Sequence, residues 1–219
     1  MNNPVFFIDV DNTLLDNDQI KDEIKKSLIR VLGEKEALHF WKHHDEFREY
    51  KKLVDFPNII HAYCAEKHKD TCDLTLSRIF ESIEFTNALY PKAIAVLKHL
   101  KSLGKVILFT EGDSVYQKRK VVQSGLGETA DEALLFEHKW EHFEKVIKQY
   151  EGSKIILIDD RAEPLVKVKH QFHHIFTIEV CQGHYATVDH KEHEALDMVI
   201  QSIASLLTLS KKDLSSQEK

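Results

Sequence analysis

Four short runs of the chain, PVFFID at 4–9, KVILFT at 105–110, KIILID at 154–159 and HIFTIEV at 174–180, are apolar at almost every position. A strand with one face in water alternates apolar and polar residues. These runs do not, so each reads as a strand buried on both faces, the pattern of a parallel sheet covered by helices. Ala133–Phe136 is a weaker fifth candidate. Between the runs, apolar residues recur at three- and four-residue steps, as in Ala93, Leu97 and Leu100 or Phe143, Val146 and Ile147. That spacing is helical. Strand and helix in alternation predict an α/β fold built on a doubly wound parallel sheet.

One connection breaks the rhythm. About ninety residues separate the first strand from the second, far more than one crossover needs. The stretch is helical in pattern. Asn17 can cap a helix with Ile20, Ile24, Leu28 and Val31 on one face. Glu36–Leu53, with Leu38, Trp41 and Phe47, and Pro57–Lys67 follow, and Asp73 can cap a fourth helix carrying Leu76, Ile79, Phe80 and Ile83. The expected organisation is a core of residues 1–15 and 89–209, an all-helical insert at 16–88, and a polar, disordered tail at 210–219.

Composition narrows the partners. With 30 Lys+Arg against 36 Asp+Glu the net charge is −6, which disfavours nucleic acid or an anionic membrane surface as the main partner. No apolar run approaches the roughly 20 residues that span a bilayer. The N-terminus does not read as a signal peptide. Cys64, Cys72 and Cys181 form no framework, which fits a reducing cytoplasm without structural disulfides.

The chemistry concentrates at strand ends. FFIDVDNTLLD (6–16) places Asp9 and Asp11 at the carboxyl end of the first strand, where open α/β sheets bind ligands. Residues two apart on an extended chain point the same way, so both face one site. Carboxylates that close repel unless a cation or shared proton relieves them, and Mg²⁺ is the natural hard counterion. The second strand ends in Thr110, followed by Glu111-Gly112-Asp113 opening a helix, an anion-binding arrangement. The strand at Lys154 ends in Asp159-Asp160, and Lys139 follows the weaker strand.

The ordered set Asp9-x-Asp11-x-Thr13, Thr110, Lys139 and Asp159-Asp160 resembles the four signature motifs of the haloacid dehalogenase-like (HAD) hydrolase superfamily. The stretch Leu89–Leu126 is similar to its second-motif region, and the insert takes the position of its helical C1-type cap. The resemblance implies a Rossmann-like core and a Mg²⁺-dependent phosphomonoester hydrolase acting on a small phosphorylated metabolite through an aspartyl-phosphate. It assigns Asp9 as nucleophile and Asp11 as acid and base. Thr110, Glu111 and Lys139 would serve the phosphate, and Asp9, Asp11 (by its carbonyl), Asp159 and Asp160 the metal, with Asp160 direct and Asp159 through water. Haloacid dehalogenases of the superfamily lack an aspartate at the position of Asp11, which favours phosphoryl transfer. A phosphomutase of sugar phosphates and a non-catalytic ligand-binding protein are the alternatives. The chain is expected to be cytoplasmic, as a monomer or homodimer.

Other features read as structure. His39-x-x-x-His43 could hold zinc from one helix face, but no compact ligand set accompanies it. The clusters around His61, Cys64, His68 and Cys72 and around His184, His190 and His193 likewise read as surface or half-buried side chains. Asp45–Lys52 reads as a solvated helix face, Phe40, Trp41 and Phe47 as interior of the insert, and Cys181 as a small buried hydrophobe.

Overall fold

The computed structural model describes residues 3–51, 54–67, 72–187 and 194–215; Lys52, Leu53, His68, His190, His193 and the tail from residue 216 lie outside the described residues. Strand β1 (Val5–Ile8) is followed by helices α1 (Asn17–Leu32), α2 (Glu34–Lys51), α3 (Phe56–Lys67) and α4 (Cys72–Glu81). The chain then alternates through α5 (Ala93–Leu103), β2 (Lys105–Glu111), α6 (Ser114–Gln123), α7 (Leu126–Thr129), β3 (Glu132–Phe136), α8 (Lys139–Ile147), β4 (Ile155–Asp159), α9 (Ala162–Gln171) and β5 (Phe176–Val180). A three-residue strand β6 (Met198–Ile200) and a short helix α10 (Lys211–Ser215) complete it.

The six strands among the described residues are all parallel, in the order β3-β2-β1-β4-β5-β6. β1 is central, with Ile8 opposite Leu108 on one side and Ile158 on the other. Successive residues of each uniformly apolar strand enter different layers. Phe6, Ile8, Val106, Leu108, Ile156 and Ile158 join a cluster that continues into α1–α5. Val5, Phe7, Ile107, Phe109, Ile155 and Leu157 pack on Phe143, Val146 and Leu165 of α8 and α9. The chain moves outward from β1 to β3, then returns to β4, so the reversal of strand order falls beside β1, where ligand crevices form.

The helical insert is tied to the core at its base, where Leu15 bridges Leu89 and Asp16 N–H donates to Ala88 O at 2.7 Å. The N-cap of α1 is Asp16 rather than Asn17: its carboxylate accepts from Gln19 N–H at 2.8 Å. Ile20, Ile24 and Leu28 are buried as expected, but Val31 and Leu38 are exposed. The four-residue stride runs from Leu28 to Leu32, which packs on the core, and the inner face of α2 is carried by Ala37, Phe40 and His44. Nor are the cysteines all free: Cys64 and Cys72 form a disulfide between the end of α3 and the start of α4. Two helices folded back on each other bring these residues together, and their spacing along the chain does not announce it. The tail is also more ordered than its polarity suggests, since Lys211–Ser215 is helical and Leu214 is buried. β6, partly buried and only three residues long, carries no readable period. Among the described residues, no helix is long and apolar enough to cross a membrane.

Candidate active site

The exit of β1 is a tight, strained turn. Asp9 N–H still donates into the sheet, to Ile158 O at 2.9 Å, while the carbonyl of buried Val10 accepts from both Leu14 and Leu15 N–H. Asn12 takes a left-handed φ of 57°, which asparagine tolerates better than most residues. Its side chain accepts from Asn17 N–H at 3.0 Å. The loop after β5 presses on this turn: a Cβ at Gly183 would lie 2.6 Å from Asn12 Cγ, and the glycine's φ of +65° is itself left-handed.

Lys139, the first residue of α8 and 1% exposed, is the hub of the site. Its ammonium donates to Asp9 Oδ1 at 2.6 Å, Asp159 Oδ2 at 2.7 Å and Phe109 O at 3.2 Å. Its main-chain N–H donates to Glu111 Oε2 at 3.0 Å. Arg161 completes the frame. Its N–H donates to Asp159 Oδ1 at 3.0 Å, and its guanidinium lies 3.7 Å from Asp159 and 3.8 Å from Glu111.

Asp160 stands apart, because its buried carboxylate takes no hydrogen bond from any described residue. Burial, then the neighbouring charges of Asp159 and Asp9, push it up to about 9. Burial likewise pushes Asp9 up to about 7, with Asp159 and Asp11 adding to the effect against the pull of Lys139. Asp159 moves the other way: burial would raise it, but Lys139 and Arg161 outweigh burial and hold it below the ordinary carboxylate value. Lys139 is raised despite its own burial, by Asp159 and Asp9. Burial and mutual repulsion thus leave Asp9 and Asp160 holding protons more tightly than ordinary carboxylates, while Asp159 is kept ionised by Lys139 and Arg161. A divalent ion held by Asp9 and Asp160 would take the place of those protons and offset the negative charge of the cluster. The donor set, oxygen only, suits a hard cation.

Asp11 projects to the same cavity but is held by α6. Lys120, 4% exposed, donates to both Asp11 oxygens at 2.7 and 2.9 Å and to Asn17 Oδ1 at 2.9 Å. Gln117 donates to Asp11 Oδ2 at 3.2 Å and to the fully buried Thr110 hydroxyl at 2.6 Å. Of the residues expected from sequence, the fold brings Asp9, Asp11, Thr110, Lys139, Asp159 and Asp160 to one end of the sheet. Glu111 is present too, but its carboxylate is turned to Lys139 and Arg161. Glu111 also lines the cavity, so its carboxylate positions these two cations at the edge of the site.

Lys120, Gln117 and Arg161 were missed. Gln117 and Lys120 lie three apart on α6, a same-face spacing that one lysine among many does not single out. Arg161 directly follows the aspartate pair and was legible by position. The cavity, of about 260 Å³, is floored by Asp9, Asp11 and Asp160 and roofed by Lys21, His44, Arg48 and Phe56 of the helical insert. Arg48 therefore belongs to the cavity, although its charge run reads as a solvated face.

The haloacid dehalogenase-like hydrolase family model matches residues 4–163. A haloacid dehalogenase-like hydrolase structure from Burkholderia xenovorans is 27% identical, with 96% of this chain and 100% of that one covered and a TM-score of 0.85. The HAD-hydrolase YfnB from Bacillus subtilis bound to magnesium shares 15% identity over 95% of this chain and 100% of its own, with a TM-score of 0.63. L-2-haloacid dehalogenase from Xanthobacter autotrophicus shares 13% over 94% and 97%, with a TM-score of 0.58. These last two likenesses speak to the fold alone. No curated protein matches the sequence. With the family model spanning most of the chain and its motif positions gathered at the carboxyl edge of one parallel sheet, this protein belongs to the haloacid dehalogenase-like hydrolases.

Proposed function

We propose that the chain is a Mg²⁺-dependent phosphomonoester hydrolase for a small phosphorylated metabolite. One observation carries the reading: Asp9 and Asp160, both buried, face a single cavity in which Asp160 takes no hydrogen bond from a described residue and Asp9 is aimed by Lys139. Two buried carboxylates beside a lysine and a hydroxyl are the groups that a hard cation and a phosphoryl group would use.

Asp9 attacks phosphorus, and the bond from phosphorus to the ester oxygen breaks as the aspartyl-phosphate forms. Asp11 passes to the departing alkoxide a proton supplied by Lys120, which donates to both its oxygens. It then takes one from the water that attacks the same phosphorus and releases Asp9 and inorganic phosphate. Lys120 and Gln117 hold Asp11 in place, and Lys120 is the adjoining proton-bearing group. Lys139 and Thr110 face the phosphoryl oxygens and offset their growing charge. Asp9, Asp160 and the Asp11 carbonyl would hold Mg²⁺, which supplies positive charge to the phosphoryl oxygens. Asp159 is engaged by Lys139 and the Arg161 amide and acts behind Asp160. Lys21 and Arg48 in the roof suit an anionic metabolite, and a cavity this small suits a compact one. None of these steps depends on the Cys64–Cys72 bond, so the reading holds in the cytoplasm.

The test is phosphate release from p-nitrophenyl phosphate and a panel of metabolite phosphates, with Mg²⁺ and after chelation. Mg²⁺-dependent release, lost in Asp9→Asn, is the expected result. Sugar-phosphate interconversion without net phosphate would identify a mutase, halide release from 2-haloacids a dehalogenase, and an inert wild type a binding protein.

A further inference from the structure

The helical insert carries a cluster that phosphoryl chemistry leaves unused. His39 and His43 stand one turn apart on α2, so their rings share a face, and α3 brings Glu66 against them. His43 Nε2 lies 3.0 Å from Glu66 Oε2, and His39 Nε2 lies 3.6 Å from Glu66 Oε1. One ligand atom from each of the three falls within 4.8 Å of the other two. Donors bound at about 2.0–2.1 Å to a tetrahedral ion sit roughly 3.3 Å from one another, so a small turn of the Glu66 carboxylate, which now offers one oxygen to each ring, would bring a single oxygen to that distance from both.

The surroundings are arranged for the same purpose. His39 Nδ1 lies 3.9 Å from a Glu36 oxygen that Lys67 and the Tyr63 hydroxyl already engage, so this carboxylate would orient a metal-bound imidazole only after closing to hydrogen-bond distance. Tyr63 packs edge-on against both rings, at 5.8 and 5.9 Å, which limits their rotation. Lys67 lies 3.7 Å from Glu66 but 2.7 Å from Glu36, so it keeps a partner when Glu66 turns to an ion. The three side chains are 34%, 24% and 48% exposed, leaving a path for entry and a water for the fourth position.

We propose that His39, His43 and Glu66 form a second metal site, for a borderline transition ion such as Zn²⁺, whose imidazole-rich donors differ in kind from the all-oxygen catalytic set. The ion would clamp α2 to α3. Because these helices also carry His44, Arg48 and Phe56, the clamp would stiffen the roof of the catalytic cavity.

Calorimetric titration with Zn²⁺ in excess Mg²⁺ tests this, in an Asp160→Asn background that disables the catalytic metal site. That parent should bind one equivalent and gain thermal stability from it. Adding His43→Ala or Glu66→Gln should weaken binding at least about tenfold and remove the thermal shift. Circular dichroism checks the fold, and the half-exposed Glu66→Gln keeps the test open if His43→Ala unfolds. No Zn²⁺ binding by the parent, or binding unchanged in both variants, would overturn the proposal. Phosphatase activity is not the readout, so either reading can fail without the other.

Discussion

The sheet core and the helical insert solve different problems with different chemistry. In the core, charged groups are buried and locked: Lys139 holds Asp9 and Asp159 between strand ends whose main chain is fixed by parallel ladders. In the insert, charges lie at the surface in adjustable pairs such as His43–Glu66 and Lys67–Glu36, and α3 is stapled to α4 by a disulfide. The two meet on α6, where Tyr116 packs on Phe56 and Phe85, and Arg119 donates to the carbonyls of Phe80 and Glu81 at 2.6 and 2.5 Å. The difference teaches that reacting groups are placed by backbone geometry, while the enclosure is placed by side-chain contacts that can be remade. Changes in the core should therefore abolish chemistry or unfold the whole chain, and changes in the insert should alter affinity or local stability.

The largest effect falls on the core. Asp9→Asn should lower phosphate release at least ~10³-fold with little change in melting temperature, since removing a nucleophile removes stabilisation made only along the reaction path. Steady-state kinetics beside thermal denaturation checks the split. Lys139→Met leaves Asp9 and Asp159 buried without their cation and should cost about 3–5 kcal/mol of global stability, read by urea denaturation. In the insert, Cys64→Ala opens a loop whose ends are 8 residues apart and should cost about 2–3 kcal/mol by the loop-entropy relation. Hydrogen exchange should show that loss in α3 and α4 and not in the sheet; equal loss in β1 and β4 would break the comparison. Arg119→Ala removes two charge-assisted bonds at the junction and should raise KM by about tenfold, or about 1.4 kcal/mol, with kcat nearly kept.

The smallest effect concerns pH. His44 is buried between Trp41 and Phe56, beside Asp45, with Lys21 and Arg48 near, and its Nε2 has no hydrogen-bond partner among the described residues. Burial first, with Arg48 and Lys21 assisting against Asp45, holds its pKa below the ordinary 6.5. The unfolded chain thus binds the proton more readily than the folded one. His44's contribution is complete above pH 6.5 and is lost as pH falls through the folded value, with a slope of at most about 1.4 kcal/mol per pH unit. Trp41 fluorescence in wild type and His44→Gln follows it; an acid loss that persists unchanged in the variant would remove His44 as its cause.

Much of the core was legible because its constraints are local. Residues that are apolar without alternation demand a two-sided covering, and an aspartate at the end of such a run sits at the sheet edge whatever follows. The insert was legible only as helical. The spacing left open which of Val31 or Leu32 faces inward, and it placed Leu38 on a face that Ala37 and Phe40 occupy. β6 and the burial of Leu214 were not visible, because a three-residue strand and a lone leucine carry no period.

The sequence alone determined the parallel α/β core, the helical insertion and the strand-end positions of Asp9, Asp11, Thr110 and Asp159-Asp160, because each rests on neighbours within a few residues along the chain. Only the tertiary structure decided that Lys120 grips Asp11, that the Glu111 carboxylate meets the Lys139 amide and Arg161, that Cys64 meets Cys72, and that Glu66 joins His39 and His43. Those pairings join different secondary-structure elements, and in most of them one residue is among many of its kind. Which one is used depends on how elements pack, and packing energy is summed over whole faces and not encoded at any single residue.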